Sequence, residues 1–147
     1  MNMLLRMTGL AALLLSAATV AETVHPAKIS KADAAGAIFQ RPGMEAITHE
    51  DGHQTEDVTT LLSSDGRFAS GMYKSGKTRA EVTEPWGVDE FMYFLEGGAT
   101  LISSDGTVTE VSAGEAVTVP REWTGTWVTD GYTKIWVIYS EDGSALE

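Results

Sequence analysis

Regularly spaced turn signals constrain the fold of this chain more than any other feature of its sequence. Ser-Ser-Asp-Gly occurs twice, at residues 63–66 and 103–106, each time between two short runs rich in threonine, valine and leucine. An Asp-Gly pair between such runs is the strongest short-range signal for a β-hairpin. With the runs that follow, we count about nine short strands, at the spacing typical of a sandwich or barrel. The sequence therefore predicts an all-β domain.

Three segments are predicted along the 147 residues. Arg6, the apolar run at 10–15 and the small residues at 19–21 are typical of a signal peptide over 1–21, with cleavage after Ala21. An uncleaved membrane anchor is the alternative, although the apolar run is short for a membrane span. Residues 22–57 form an N-terminal arm, and 58–147 form the barrel domain. We expect a periplasmic or secreted protein, stabilised by packing alone because the chain has no cysteine.

The arm carries two local signals. Ser30 is placed to cap a short helix over residues 30–35, and the arm is expected to lie across the barrel or to complete a sheet edge. His49 and His53 have the i, i+4 spacing that would present two imidazoles to one metal on a helix. Gly52 and the lack of apolar periodicity favour a solvated loop instead.

The net charge limits the possible partners. The chain has a formal charge of -11 at pH 7. Such a surface repels the phosphates of nucleic acids and anionic lipids. We therefore expect no nucleic-acid partner and no membrane contact beyond the signal peptide.

The aromatic run within residues 86–97 predicts a central strand with an unusual carboxylate. If Met92 and Phe94 face the interior, the two-residue period of a strand places Glu90 on the same face. A buried carboxylate must be paired, hydrogen-bonded, bound to metal or protonated. Lys134 on the last strand is the obvious ion-pair partner, and a catalytic role for Glu90 as a general base is the other interpretation.

Two spacings resemble the cupin superfamily. Glu90 and Gly97 match the end of the first cupin motif, and Gly114 and Pro120 match the start of the second. Together with Gly-Thr-Trp at 125–127 and the later lysine, they resemble the short single-domain cupins akin to ureidoglycine aminohydrolase and the ethanolamine-utilisation proteins. This resemblance covers about residues 68–139. It implies a double-stranded β-helix, or jelly roll, with a pocket at its open end, and a homodimer.

The chain departs from the cupin pattern at the metal ligands. The histidines usual in the first motif fall on Glu84 and Trp86, or on Thr83 and Pro85, and that of the second falls on Gly125. Glu122 also replaces a usual glycine. Of the four ligands that the resemblance implies, Glu90 alone remains. Because transition metals need imidazole or several carboxylates, we expect no metal and no other cofactor.

The predicted pocket combines stacking surfaces with charged groups. Tryptophan suits stacking on a sugar or planar ligand, and Lys134 and the arginines could meet an anion, although Arg79 and Arg121 could equally form surface pairs. Trp136 is interpreted as core. The candidate pocket residues are Arg79, Glu81, Trp86, Glu90, Met92, Trp123, Trp127 and Lys134.

Three functions fit these residues. The first is an exported, metal-free cupin that binds a sugar or small organic acid. The second is a metal-independent isomerase, epimerase or lyase that uses Glu90 or Glu81 with a tyrosine; the position of all three histidines before the barrel argues against it. The third is a structural or partner-binding module.

Overall fold

The computed structural model describes residues 23–147, so the predicted signal peptide and its cleavage site lie outside the described residues. A short helix α1 (Lys31–Ala34) and a 3₁₀ turn (Ala37–Gln40) precede the strands. Neither is long or apolar enough to cross a membrane. The strands are β1 (Glu45–Thr48), β2 (Gln54–Leu62), β3 (Phe68–Ser75), β4 (Thr78–Val82), β5 (Asp89–Ser103), β6 (Val108–Ser112), β7 (Ala116–Val119) and β8 (Gly125–Tyr139).

Two long antiparallel strands organise the sheet. β5 and β8 have 15 residues each and pair from Asp89↔Tyr139 to Ser103↔Gly125. β3 and β7 flank one half of this pair, and β4 and β6 flank the other half. β2 and then β1 extend the first half beyond β3. The prediction of an all-β jelly roll is confirmed.

Glycines let the two long strands run past points where the sequence indicated strand ends. Runs at 91–95 and 99–102 were predicted as separate strands but both belong to β5. The β5–β8 register shifts between Phe94 and Glu96 and again between Gly98 and Thr100. At Gly97, with φ of 66°, an added Cβ would lie 2.0 Å from the carbonyl oxygen of Gly131. These glycines therefore permit bulges and close backbone approach within one strand.

Both predicted Ser-Ser-Asp-Gly hairpins are confirmed. Residues 63–66 join β2 to β3, and residues 103–106 join β5 to β6. The closing bonds run from Ser63 N–H to the Phe68 carbonyl and from Ser103 N–H to the Thr107 carbonyl, each 2.8 Å long. The glycine of each turn has a positive φ, which glycine adopts at little cost.

The arm caps and closes one side of the barrel, as predicted. Ser30 caps α1 in a capping box with Asp33, and Asp33 also accepts a 2.7 Å hydrogen bond from Arg41. Ile38 and Phe39 are buried in one cluster with Val58 of β2 and Met72 of β3. β1 completes a sheet edge by pairing with β2, which begins at Gln54. The sheet thus starts before residue 58, where we had placed the barrel boundary.

We predict that Gly71→Ala destabilises the barrel strongly. Gly71 lies on β3 opposite Trp136, and an added Cβ would sit 2.2 Å from the Val58 carbonyl oxygen and 2.5 Å from the indole ring. Overpacking of this kind costs about 1–3 kcal/mol or more. Chemical unfolding of the purified variant measures the loss.

Gly76→Ala is the matched control for that substitution. Its Cβ would meet its nearest neighbours at 3.6 Å, an ordinary contact. Alanine at a compatible backbone position is neutral or stabilises by about 0.4–1 kcal/mol. Equal stabilities for the two variants would show that the barrel tolerates movement of Trp136.

Candidate functional site

A pocket of about 260 Å³ opens on the inner face of the β2–β3–β8–β5 half of the barrel. Its walls are mainly aromatic and its charged groups are two carboxylates and one ammonium. The volume lies just below the roughly 300–1,000 Å³ usual for ligand pockets. The lining residues are Asp57, Tyr73, Trp86, Glu90, Tyr132, Lys134, Trp136, Ile138 and Leu146.

Glu90 and Lys134 form an ion pair in this pocket, as predicted. The Lys134 Nζ lies 2.7 Å from Glu90 Oε1, and only 6% and 7% of the two side chains are exposed. Strand alternation places Glu90 on the interior face with Met92 and Phe94, both fully buried. The ammonium also contacts the Met92 sulfur at 3.3 Å. Each buried charge is therefore compensated by the other.

Trp86 orients the second oxygen of this carboxylate. Its indole N–H donates a 2.9 Å hydrogen bond to Glu90 Oε2. The Trp86 ring stacks on Trp127, with centroids 5.8 Å apart, and meets Trp123 edge-on at 5.9 Å. Trp123 donates in turn to Ser103. Three tryptophans from three segments thus fix one wall of the pocket.

Three aromatic rings surround the Lys134 ammonium. Its Nζ lies 5.3 Å from the Tyr73 ring centroid and 5.8 Å from those of Trp127 and Tyr132. A cation within about 6 Å of an aromatic face is attracted by the ring quadrupole. Burial raises the pKa of both tyrosines, that of Tyr132 well above its ordinary value. The phenols are therefore neutral at physiological pH.

Asp57 belongs to the pocket, which sequence reasoning missed, and Trp136 is a core residue, as predicted, that also borders the cavity. Asp57 pairs in register with Tyr73, so its side chain faces inward, and Trp136 donates a 3.1 Å hydrogen bond to its Oδ1. Burial raises the pKa of Asp57, although Trp136 and Lys134 oppose that rise. We had ended the arm at Asp57 and so did not consider it for the pocket. The available signal was strand alternation, which aligns residues 55, 57 and 59 on one face.

Arg79 and Glu81 do not lie in the pocket, which corrects their prediction as lining residues. Both are on β4 and are 61% and 59% exposed; they pair with each other at 3.1 Å. β4 pairs with the other half of β8, away from Lys134. Arg121 likewise bonds acidic groups, including Asp89 and Glu141. Trp123, Trp127 and Met92 support the pocket residues rather than lining the cavity.

His49 and His53 lie in the turn between β1 and β2, as the loop interpretation predicted. Their rings stack with centroids 4.1 Å apart, and His53 bonds the side chain of Asp51. Within residues 23–147, no three His, Cys, Asp or Glu side chains are grouped so that they could hold a metal ion. At the positions that the resemblance assigns to metal, Glu84 is exposed, and Trp86 and Gly125 offer no ligand atom. The residues present there therefore do not fit a metal.

A small jelly-roll barrel with a polar pocket in its interior is the architecture of a cupin. The family model of the EutQ-like cupin domain matches residues 62–134, from the end of β2 to the middle of β8. The barrel of this chain is therefore a cupin domain of the EutQ-like type. The predicted resemblance to the ethanolamine-utilisation group is confirmed.

Solved structures support the same fold. The EutQ protein of Clostridium difficile is 22% identical with a TM-score of 0.53, covering 65% of this chain and 75% of its own. A putative ethanolamine utilization protein Q from Salmonella typhimurium is 15% identical with a TM-score of 0.51, covering 67% and 95%. A Rhizobium leguminosarum protein of unknown function is 23% identical with a TM-score of 0.55, covering 80% and 100%. No curated protein matches the chain.

We predict that replacing one partner of the Glu90–Lys134 pair destabilises the protein far more than replacing both. Glu90→Gln or Lys134→Met alone leaves the partner's charge buried, which costs about 3–5 kcal/mol. The double variant removes both charges of the pair and should recover much of that loss, since Gln can still accept from Trp86. Thermal and chemical unfolding of the three variants measure the coupling.

Glu81→Gln controls for loss of an ion pair at the surface. The exposed Arg79–Glu81 pair should contribute less than about 1 kcal/mol. If the two single variants at the buried pair lowered the free energy of unfolding as little as this control, and their effects added in the double variant, the pair would contribute nothing to stability.

We further predict that Asp57→Asn stabilises the protein at neutral pH. Because the pKa of Asp57 is raised above the ordinary 3.8, the fold binds this proton more tightly than the unfolded chain. The resulting stabilisation is present below pH 3.8 and is lost as pH rises through the raised pKa. The advantage of Asn should therefore shrink as pH falls towards 3.8, as followed by melting temperatures.

Asp142→Asn should show the opposite sign. Hydrogen bonds from Ser144 and Ser140 lower the pKa of Asp142 to about 2, so its carboxylate stabilises the fold at neutral pH. This variant should therefore melt lower than the parent at pH 7. If Asp57→Asn also melted lower there, ionised Asp57 would be stabilised by its partners more than burial opposes it.

Proposed function

We propose that this protein is an exported, metal-independent cupin that binds one small organic molecule, a sugar or a small acid, in the pocket above the Glu90–Lys134 pair. The observation that carries the proposal is an aromatic cavity with an ion pair and a further carboxylate on its wall. Cavities that are mostly apolar with a few convergent polar groups are typical ligand sites. Nothing in core packing alone requires three charged side chains to line one cavity.

The polar groups of the pocket are held in place before any ligand arrives. Glu90 is fixed by Lys134 and Trp86, and Asp57 is fixed by Trp136. Because the protein orients these groups in advance, a ligand would lose little binding free energy to their ordering. This arrangement favours binding over a purely structural role.

The ammonium of Lys134 supports a metal-independent site. The one carboxylate that remains of the cupin ligand set accepts hydrogen bonds from Lys134 and Trp86, one on each oxygen. A divalent cation beside Glu90 would therefore compete with an internal cation 2.7 Å away. The same pair occupies the carboxylate that general-base catalysis would need, which favours the binding function over an isomerase, epimerase or lyase.

Native mass spectrometry of protein recovered from outside the cytoplasm tests the proposal. We expect a polypeptide that begins near Glu22, a noncovalent organic adduct of about monosaccharide size, and no transition metal. The full-length mass would contradict export. A preparation without any adduct, and with no change in melting temperature on exposure to small-molecule pools, would contradict ligand binding. One equivalent of metal would contradict metal independence.

We also propose that the protein is a homodimer that associates through the outer face of β3, β8 and β5. Phe68, Phe91, Tyr93 and Tyr139 project from this face and are 38–45% exposed. Phe68 lies in register with Tyr139, so the aromatic groups are neighbours. Ser70 and Val137 fill the positions next to Phe68 and Phe91. The carboxylate beside Tyr139 on this face is Asp89, which is paired with Arg121.

A second copy suits this face for electrostatic reasons. Two chains of charge -11 repel each other over most of their surfaces. An aromatic area whose nearest carboxylate, Asp89, is paired with Arg121 is therefore where two copies can approach most closely. The arm already covers the neighbouring part of this face with Ile38 and Phe39. The outer face of the sheet thus packs against apolar side chains from outside the barrel.

Phe91→Glu should convert the dimer to a monomer. A carboxylate in the centre of the interface would meet the acidic partner without compensation, and light scattering at micromolar concentrations reports the mass. Val108→Glu, at a 55% exposed position on β6, should leave the dimer intact. A monomeric parent protein would refute the proposal.

A further inference from the structure

The charges of the pocket select among ligand classes. Asp57 and Glu90 each carry a carboxylate, and Lys134 carries the one ammonium among the lining residues. An anionic ligand would meet two carboxylates, one of which is not in a direct ion pair. A cationic ligand would meet the Lys134 ammonium, which already occupies the position between the three aromatic rings. An uncharged ligand avoids both repulsions.

The hydrogen-bonding capacity of the pocket is unbalanced towards acceptors. An ionised carboxylate offers about four acceptor sites, so Asp57 and Glu90 together offer about eight. Three side-chain donors use them: Lys134, Trp86 and Trp136. Several acceptor sites therefore stay open to a molecule in the cavity.

The donors that remain on the protein side are few: the hydroxyls of Tyr73 and Tyr132, which lie beside Thr55 and Ser75, and one N–H of Lys134. Both indole N–H groups are already engaged with carboxylates. Of the three N–H bonds of Lys134, one is directed at Glu90 and one at the Met92 sulfur. The open acceptor sites on the two carboxylates outnumber these donors, so the pocket suits a ligand that supplies hydrogen-bond donors, as hydroxyl groups do.

The fixed indole rings add a stacking surface. Because its N–H group bonds to Glu90, the half-buried Trp86 offers a ligand mainly its apolar face, whereas Trp136 is only 3% exposed. Such faces pack against the C–H groups of a carbon ring or chain, while its hydroxyls reach the carboxylates. We infer that the pocket, if it binds a small molecule as proposed above, is specific for an uncharged, hydroxyl-rich molecule of monosaccharide size, and that Asp57 determines its discrimination against acids.

Matched ligand pools test this inference. One pool holds neutral aldoses and their alditols, a second holds the corresponding uronic acids, and a third holds the corresponding amino sugars. Tryptophan fluorescence and melting temperature are recorded for the full mature protein with each pool at pH 7. We expect a response to the neutral pool, with the uronic acids and amino sugars at least about tenfold weaker, as one contact-range charge repulsion would produce.

Asp57→Asn tests the role of the second carboxylate. Removing this negative charge should strengthen binding of the uronic acids by about tenfold relative to the neutral pool, because the like-charge repulsion is gone. Glu81→Gln, which removes a carboxylate outside the pocket, should change the ratio little. If the binding of uronic acids relative to the neutral pool were the same in Asp57→Asn as in the parent, Asp57 would not determine specificity.

The outcomes separate this inference from the proposed function. Preferential binding of uronic acids or amino sugars, or an acidic or basic adduct in native mass spectrometry, would overturn the inference and leave small-molecule binding in place. An adduct without hydroxyl groups would do the same. No response to any pool, together with no adduct, would overturn both.

Discussion

The burial of one carboxylate beside one ammonium is the constraint on which the rest of the pocket depends. An unpaired charge at this depth in an apolar barrel would cost about 3–5 kcal/mol, so as long as both residues are present their contact stabilises the fold. Their strands, β5 and β8, are then fixed in register, with Phe94 opposite Lys134. The aromatic rings around the ammonium and the indole beside the carboxylate follow from the same requirement, since both charges need close partners.

The sequence predicted most of the fold because its local signals agree with the global architecture. Asp-Gly turns, strand alternation and the capping serine each act over a few residues, and each was confirmed. The strand count was wrong because Gly97 and Gly131 resemble chain reversals in sequence. In the structure they let two long strands approach closely and bend. A local pattern does not tell whether a glycine ends a strand or permits a bulge within it.

The site was predicted in part, and the errors share one cause. Glu90 and Lys134 could be paired from sequence, because few partners were available for a carboxylate on an apolar face. Asp57 was missed since its neighbourhood depends on which strand lies beside β2, and Arg79 was misplaced since β4 joins the other half of β8. Strand order arises from contacts between distant segments, which periodicity in a short window does not record.

The continuous pairing of β5 with β8 also bears on how this barrel assembles. The pair Ser103↔Gly125 closes a much shorter loop than Asp89↔Tyr139, so chain entropy favours zippering from the former end towards the latter. The ion pair lies near the late end of that path. We therefore expect the pocket to be among the last parts of the barrel to form during folding.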